Sequence, residues 1–258
     1  MNKETIHAYN IEINPLTMNE AIEECFKLSR QRSGSVKYVV TPNLNHLVIL
    51  ERNTEFKKAY KSASLTLVDG MPVKWSLSLL GKPIPEVVPG SSLTIKLLQT
   101  INETNQTSIF LLGAAEGVAK NAVENIKSNW PKVKISGYYS PPQGFEKDEK
   151  QNEKIISLLN EKNPDIIIVG LGAPKQELWI YNNSDRIRAG VALCVGATID
   201  FISGEKRRAP TWMQKMGMEW VYRIYTEPRR LFKRYLLDAL AFPMIFVKQL
   251  NIYKSNTG

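Results

Sequence analysis

Histidine and cysteine are scarce in this chain, with two of each among 258 residues. His7 and His46 are far from both cysteines in sequence, and Cys25 and Cys194 lie in apolar surroundings. That speaks against a histidine-based triad, a Cys–His nucleophile and a zinc site, each of which needs these residues to converge. Two widely spaced buried thiols indicate a reducing compartment and no disulfide framework. No Asp-x-Asp occurs anywhere, so the usual carboxylate pair for a divalent cation on a nucleotide diphosphate is missing. No Gly-x-Gly-x-x-Gly is complete either: Gly113-x-x-x-Gly117 lacks the middle glycine, and no acid ends the following strand. That segment is left as close helix–strand packing or a helix N-terminus able to take a diphosphate. No apolar leader opens the chain and no uninterrupted apolar run reaches about 18 residues, so neither a signal peptide nor a spanning helix is expected.

What the chain does have is alternation. Short β-branched runs at Tyr38–Val40, Leu65–Val68, Ser108–Leu112, Val133–Tyr138, Asp165–Val169 and Val191–Val195 are separated by stretches with helical spacing. Residues 5–13 read as a strand or small hairpin, and Thr17-Met18-Asn19-Glu20 has the spacing of a capping box. Glu146 to Asn163 reads as one helix, and Ser91 or Ser92 as the cap of a helix to about Asn102. The pattern predicts an α/β, Rossmann-like layered fold around a largely parallel sheet.

Charge divides the chain unevenly. Residues 205–258 hold eleven Lys/Arg against four acids, a net +7, which leaves +2 of the overall +9 for residues 1–204. Apolar positions Met213, Met216, Trp220 and Ile224, then Phe232, Leu236, Ala239 and Leu240, recur at helical spacing among Arg223, Arg229, Arg230, Lys233 and Arg234. We read 1–204 as an α/β core and 205–258 as a basic amphipathic helical appendage, suited to an anionic membrane surface or a lipid-phosphate substrate. Packing of those apolar positions on the core is the competing reading. Ala241 to Val247 is apolar but short and contains Pro243. A nucleic-acid partner fits the basic tail less well, because the tail carries acids and apolar faces and the core has no basic stripe.

In open α/β sheets ligands bind beyond the carboxyl ends of strands. Two runs end in polar residues there: Thr41-Pro42-Asn43-Leu44-Asn45 and Asp69-Gly70. Asp69 is placed for chemistry or for capping the helix that starts near Met71. Gly170-Leu171-Gly172-Ala173-Pro174-Lys175-Gln176-Glu177 combines two glycines, a proline suited to a helix start, and polar residues with no evident structural reason.

Four motifs follow one another along the chain. They are Val40-Thr41-Pro42-Asn43-Leu44-Asn45-His46, Val68-Asp69-Gly70-Met71-Pro72, the Gly170–Glu177 segment, and Arg208-Ala209-Pro210-x-Trp212-Met213 with Glu219-Trp220-Val221-Tyr222-Arg223 and Glu227-Pro228-Arg229-Arg230-Leu231. Together they resemble the WecG/TagA/CpsF glycosyltransferases (glycosyltransferase family 26) over nearly the whole chain. The resemblance implies an inverting transferase that needs no metal or other cofactor. It would move a sugar from a UDP-sugar, often UDP-N-acetylmannosamine, to a polyprenyl-diphosphate-linked sugar for teichoic acid or another cell-surface polysaccharide. A UDP-hexose or UDP-N-acetylmannosaminuronic acid donor for capsule or exopolysaccharide is the alternative; a non-catalytic membrane-docking or nucleic-acid-binding protein is the reading from another class. By the same resemblance Asp69 is the general base, and Arg223 and Arg230 are appendage arginines closing on the diphosphate. Thr41, Asn43, Asn45, Gln176, Asp200 and Lys233 bind substrate. The expected location is the cytoplasm, at the inner membrane face, with homo-oligomerisation open.

Overall fold

The computed structural model describes residues 4–32, 34–104 and 107–257. Strands β1 (Ile6–Ala8) and β2 (Ile11–Ile13) form an antiparallel hairpin. Helix α1 (Met18–Arg30) starts on the expected capping box: Thr17 Oγ1 accepts the Glu20 N–H, and the Glu20 carboxylate accepts the Thr17 N–H at 2.8 Å. Then come β3 (Lys37–Val40), α2 (Leu44–Arg52), α3 (Thr54–Lys61), β4 (Leu65–Thr66), α4 (Met71–Leu79) and α5 (Gly90–Thr104). The middle of the chain gives β5 (Ser108–Gly113), α6 (Val118–Asn129), β6 (Lys134–Tyr139), α7 (Glu149–Lys162), β7 (Ile166–Gly170), α8 (Lys175–Asn183), β8 (Val191–Cys194) and α9 (Thr198–Ser203). Three tail helices follow: α10 (Thr211–Lys215), α11 (Glu219–Thr226) and α12 (Pro228–Thr257).

Strands β3 to β8 form one parallel sheet in the order β4-β3-β8-β7-β5-β6. Its inner strands β3, β8, β7 and β5 are apolar on both faces, as a sheet covered by helices on each side requires, while the edge strand β6 is partly exposed. Tyr38, Val40, Ile167 and Val169 pack into one core, and Val39, Ile166, Ile168 and Leu193 into the other. Val40, Cys194 and Val169 sit abreast in the ladder, so the carboxyl ends of β3, β8 and β7 open onto one mouth.

Several expected boundaries move, for identifiable reasons. Helix α5 begins at Gly90, before the expected serine cap, because the Leu93 N–H already bonds the Pro89 carbonyl at 2.9 Å. The 146–163 helix is split: a single 3-10 turn at Phe145–Lys147 precedes α7, which Asp148 caps through the Lys150 N–H at 2.9 Å. The spacing from Met213 to Ile224 is interrupted at Gly217, whose φ of +72° separates α10 from α11. Pro243 lies inside α12. By length and composition the 26 residues Pro228–Tyr253 suffice to cross a membrane, with a mean hydropathy of 1.2 in an 18-residue window. No uninterrupted apolar run carries that mean, because Asp238 and Lys248 interrupt it without lowering it far. One face of this helix is nonetheless docked. Ala241 and Ile245 enter the core, and Lys248 pairs with Glu51 of α2 at 2.7 Å.

Candidate functional site

The mouth is built where chain segments meet without side chains between them. A Cβ on Gly90 would stand 2.9 Å from Val195 Cγ1 and 3.1 Å from Thr41 Oγ1, so the start of α5 is pressed against the ends of β3 and β8. A Cβ on Gly113 would meet the Gly170 backbone at 2.5 Å. Close approach therefore accounts for Gly113, and the half-fingerprint carries no nucleotide signal of its own. Gly117 is the positive-φ residue in front of α6.

Asp69 sits among these ends. Its N–H donates to the Pro42 carbonyl at 2.9 Å, so the segment after β4 still runs beside the β3 terminus. Its carboxylate faces the backbone N–H of Gly90 at the start of α5, where free amides favour an anion. Burial, and next the neighbouring Glu219 carboxylate, push this carboxyl up to about 7, against the pull of Arg223, Arg208 and the Gly90 N–H. It does not cap α4, whose N-cap is Gly70 with no side-chain hydrogen bond.

Thr41 is buried and donates to the Cys194 carbonyl at 3.3 Å. Asn43 caps α2, its Oδ1 accepting the His46 N–H at 3.3 Å. Asn45, in the first turn of α2, donates from Nδ2 to Asp238 Oδ1 of α12 at 3.0 Å. Gln176 is only 2% exposed. Its Oε1 accepts the Gly196 N–H at 3.0 Å and its Nε2 donates to Glu177 Oε1 at 2.7 Å, so in this structure it shapes the turn after β8. Lys175 points elsewhere, to Glu146 at 3.3 Å. Asp200 of α9 meets Lys206 at 3.5 Å.

The tail folds over this mouth. A Cβ on Gly217 would stand 2.4 Å from Met71 Cγ, two residues past Asp69. Arg208 donates to Ser92 Oγ on α5 at 2.6 Å and lies 3.8 Å from Glu219. Lys206 is 3.6 Å from Glu227, which also takes Arg230 at 2.6 Å. Despite burial that would raise it, Glu227 is held below the usual range by Arg230, Lys206 and Arg223. Lys233 is exposed, whereas Arg234 next to it is turned inward with a buried Nε that meets no hydrogen-bond partner among the described residues. The structure thus gathers Thr41, Asp69 and Arg223 with residues that the sequence reading did not assign: Ser92, Arg208 and Glu219. Arg208 opens the Arg208-Ala209-Pro210-x-Trp212-Met213 motif. Nothing in the spacing marked Glu219 as a neighbour of Asp69. Among the described residues no group of three or more His, Cys, Asp and Glu could hold a metal ion.

Residues 6–256 match the model of the glycosyl transferase WecG/TagA/CpsF family. The chain is 32% identical over 200 residues to the N-acetylglucosaminyldiphosphoundecaprenol N-acetyl-beta-D-mannosaminyltransferase of Bacillus subtilis (strain 168), covering 78% of this chain and 75% of the relative. The protein of the same name from Bacillus spizizenii is 30% identical over 193 residues, 75% and 72% of the two chains. The one from Staphylococcus aureus (strain NCTC 8325 / PS 47) is 25% identical over 230 residues, 89% and 88%.

Proposed function

We propose that this chain, which belongs to the glycosyl transferase WecG/TagA/CpsF family and is therefore a glycosyltransferase, moves N-acetylmannosamine from a UDP-sugar to a polyprenyl-diphosphate-linked N-acetylglucosamine. The relatives' names support this donor sugar and acceptor. The observation that carries the mechanism is Asp69, a carboxylate at the strand-end mouth that burial and then Glu219 push up to about 7, against the pull of Arg223 and Arg208. An acid of that kind takes a proton efficiently at physiological pH.

In the proposed step, Asp69 removes the proton of the acceptor hydroxyl as its oxygen bonds to the anomeric carbon. The bond from that carbon to the diphosphate oxygen breaks on the opposite side, and UDP leaves with the electron pair. One in-line displacement inverts the anomeric centre. Arg223 and Arg230, with Arg208 beside α5, are placed to stabilise the charge that develops on the diphosphate. Thr41 and Asn43 line the mouth, Gln176 acts through the Gly196 turn, and Asp200 positions Lys206. The test is UDP release from a panel of UDP-sugars, with and without a synthetic lipid-diphosphate-N-acetylglucosamine acceptor. Acceptor-dependent release with UDP-N-acetylmannosamine is expected, falling about a hundredfold in Arg223→Ala. Release with no donor overturns the reading.

Residues 1–204 would form the catalytic core and 205–258 a cover that also holds the protein peripherally on the inner membrane face. Trp212, Met216, Trp220, Phe232, Leu236, Leu240, Met244 and Val247 are all exposed, and Arg229, Arg230 and Lys233 lie among them for anionic headgroups. Because the other face of α12 enters the core, deleting the tail would damage the fold as well. Charges on the exposed face discriminate better. Leu240→Glu with Met244→Glu should weaken recovery with anionic vesicles in flotation by tenfold or more, at unchanged melting temperature, since each side chain forfeits about 1.5–3 kcal/mol if fully buried in lipid. Undiminished recovery would remove this face from the membrane contact.

A further inference from the structure

Asn45 and Asp238 are 193 residues apart in sequence and joined by one hydrogen bond. Asp238 is 2% exposed, on the core-facing stripe of α12 with Leu231, Ala241 and Ile245. Its Oδ1 takes the Asn45 Nδ2, and its Oδ2 is buried without a hydrogen-bond partner among the described residues. Arg234, one turn earlier, contributes charge to Asp238 and to the neighbouring His46. A buried carboxylate with an open oxygen is costly unless it has a task. Here its one bond falls on the first turn of α2, directly behind the Thr41–Asn43 lip of the mouth.

An amide held by a carboxylate can present only one orientation: the NH₂ group faces the acid and the carbonyl oxygen faces away. Asn45 Oδ1 takes no protein donor among the described hydrogen bonds, and the residue is partly exposed. We propose that Asp238 is a positioning residue, which locks the Asn45 amide so that its carbonyl oxygen accepts a hydrogen bond from a hydroxyl or amide N–H of the bound sugar. The tail then does more than cover the mouth. It sets the polarity of one residue in the mouth's wall, so that substrate recognition depends on α12 being docked. This inference rests on the proposed sugar-transfer reading.

A double-mutant cycle tests it on the full chain, with steady-state UDP release and calorimetric binding of the UDP-sugar as readouts. Asn45→Ala and Asp238→Leu should each lower kcat/KM about tenfold, the worth of one hydrogen bond. The loss should lie in the KM of one substrate, with kcat little changed, and the double variant should be no worse than either single one. Asp238→Asn, which keeps an acceptor of the same size, should recover most of the loss. It also serves if the leucine variant does not fold. Multiplicative losses, or a lowered melting temperature with kcat/KM and binding within twofold of the parent, overturn the positioning role and leave Asp238 as a docking residue. A parent protein that neither turns over nor binds any UDP-sugar defeats the transferase reading itself, and this inference with it.

Discussion

Asp69→Asn is expected to lower acceptor-dependent UDP release by about 10²–10⁴-fold, the range for loss of a positioned general base. The amide keeps the size of the carboxylate and an oxygen able to face the Gly90 N–H, but cannot take a proton. In the parent, kcat/KM should rise with pH through an apparent pKa near the value of about 7 assigned to this group and level off above it. Burial is the first cause of that position and the Glu219 carboxylate the second. Glu219→Gln removes the second, so the acid limb should move to lower pH. Arg208→Gln or Arg223→Gln should move it the other way. The same shift has a stability sign. A carboxyl whose folded pKa is raised binds its proton more tightly in the native state, so its contribution weakens as pH climbs from the unfolded value to about 7. Asp69→Asn should therefore melt at a higher temperature than the parent at pH 8 and at about the same temperature at pH 4. A pH profile of kcat/KM that is flat from 5 to 9, with the asparagine variant still active, would take the base role away from Asp69.

Glu177→Gln should stabilise the protein. Glu177 is fully buried in α8, its Oε2 meets no hydrogen-bond partner among the described residues, and burial pushes its carboxyl up to about 7 against the bond from Gln176. From the ordinary 4.5 to about 7 the native state holds a proton that the unfolded chain has lost, so stability declines as pH rises through that window. Above it the buried charge costs up to about 3 kcal/mol, at roughly 1.4 kcal/mol per pH unit. Glutamine keeps an acceptor for the Gln176 amide and carries no charge. The gain should reach several degrees of melting temperature at pH 8, at about 2–4 °C per kcal/mol for a chain of this size, and vanish near pH 5. Glu177→Ala should do the opposite, because it frees the Gln176 amide that holds Gly196 and leaves a cavity. Melting curves of both variants at pH 5 and 8 decide the matter. A glutamine variant that loses stability at pH 8 would mean that the charge is needed where it lies.

Much of this arrangement is legible in the residues because local chemistry dictates it. The capping box at Thr17, the apolar runs at Val39 and Ile167, and the polar residues that follow Val40 and Val68 all follow from rules that act over a few residues. The mouth follows as well, since a parallel sheet leaves its strand ends on one side. What could not be read is what depends on long-range meeting. Asn45 reads as a wall residue, yet its donor end is committed to Asp238 in α12. Gln176 has a polar side chain in a glycine-rich segment, but both ends of its amide are used inside the protein. Glu219 and Glu227 read as a lower net charge for the tail, whereas they meet Arg208, Lys206 and Arg230 around the mouth. Lys233 and Arg234 are neighbours of the same charge, and only the phase of α12 decides which one turns inward.

The docking of α12 on α2 also bears on how the protein is made. The face of α2 that it covers is synthesised early, and the helix that covers it comes nearly two hundred residues later, with Asn45 and Asp238 separated by 193. Until then the nascent sheet carries an uncovered seam beside its own mouth. Contacts of such long sequence separation form slowly, and an exposed apolar seam invites association in the interval. Chains cut short before α12 should accumulate as aggregates or be degraded, so the cell would gain transferase activity only from complete translation products.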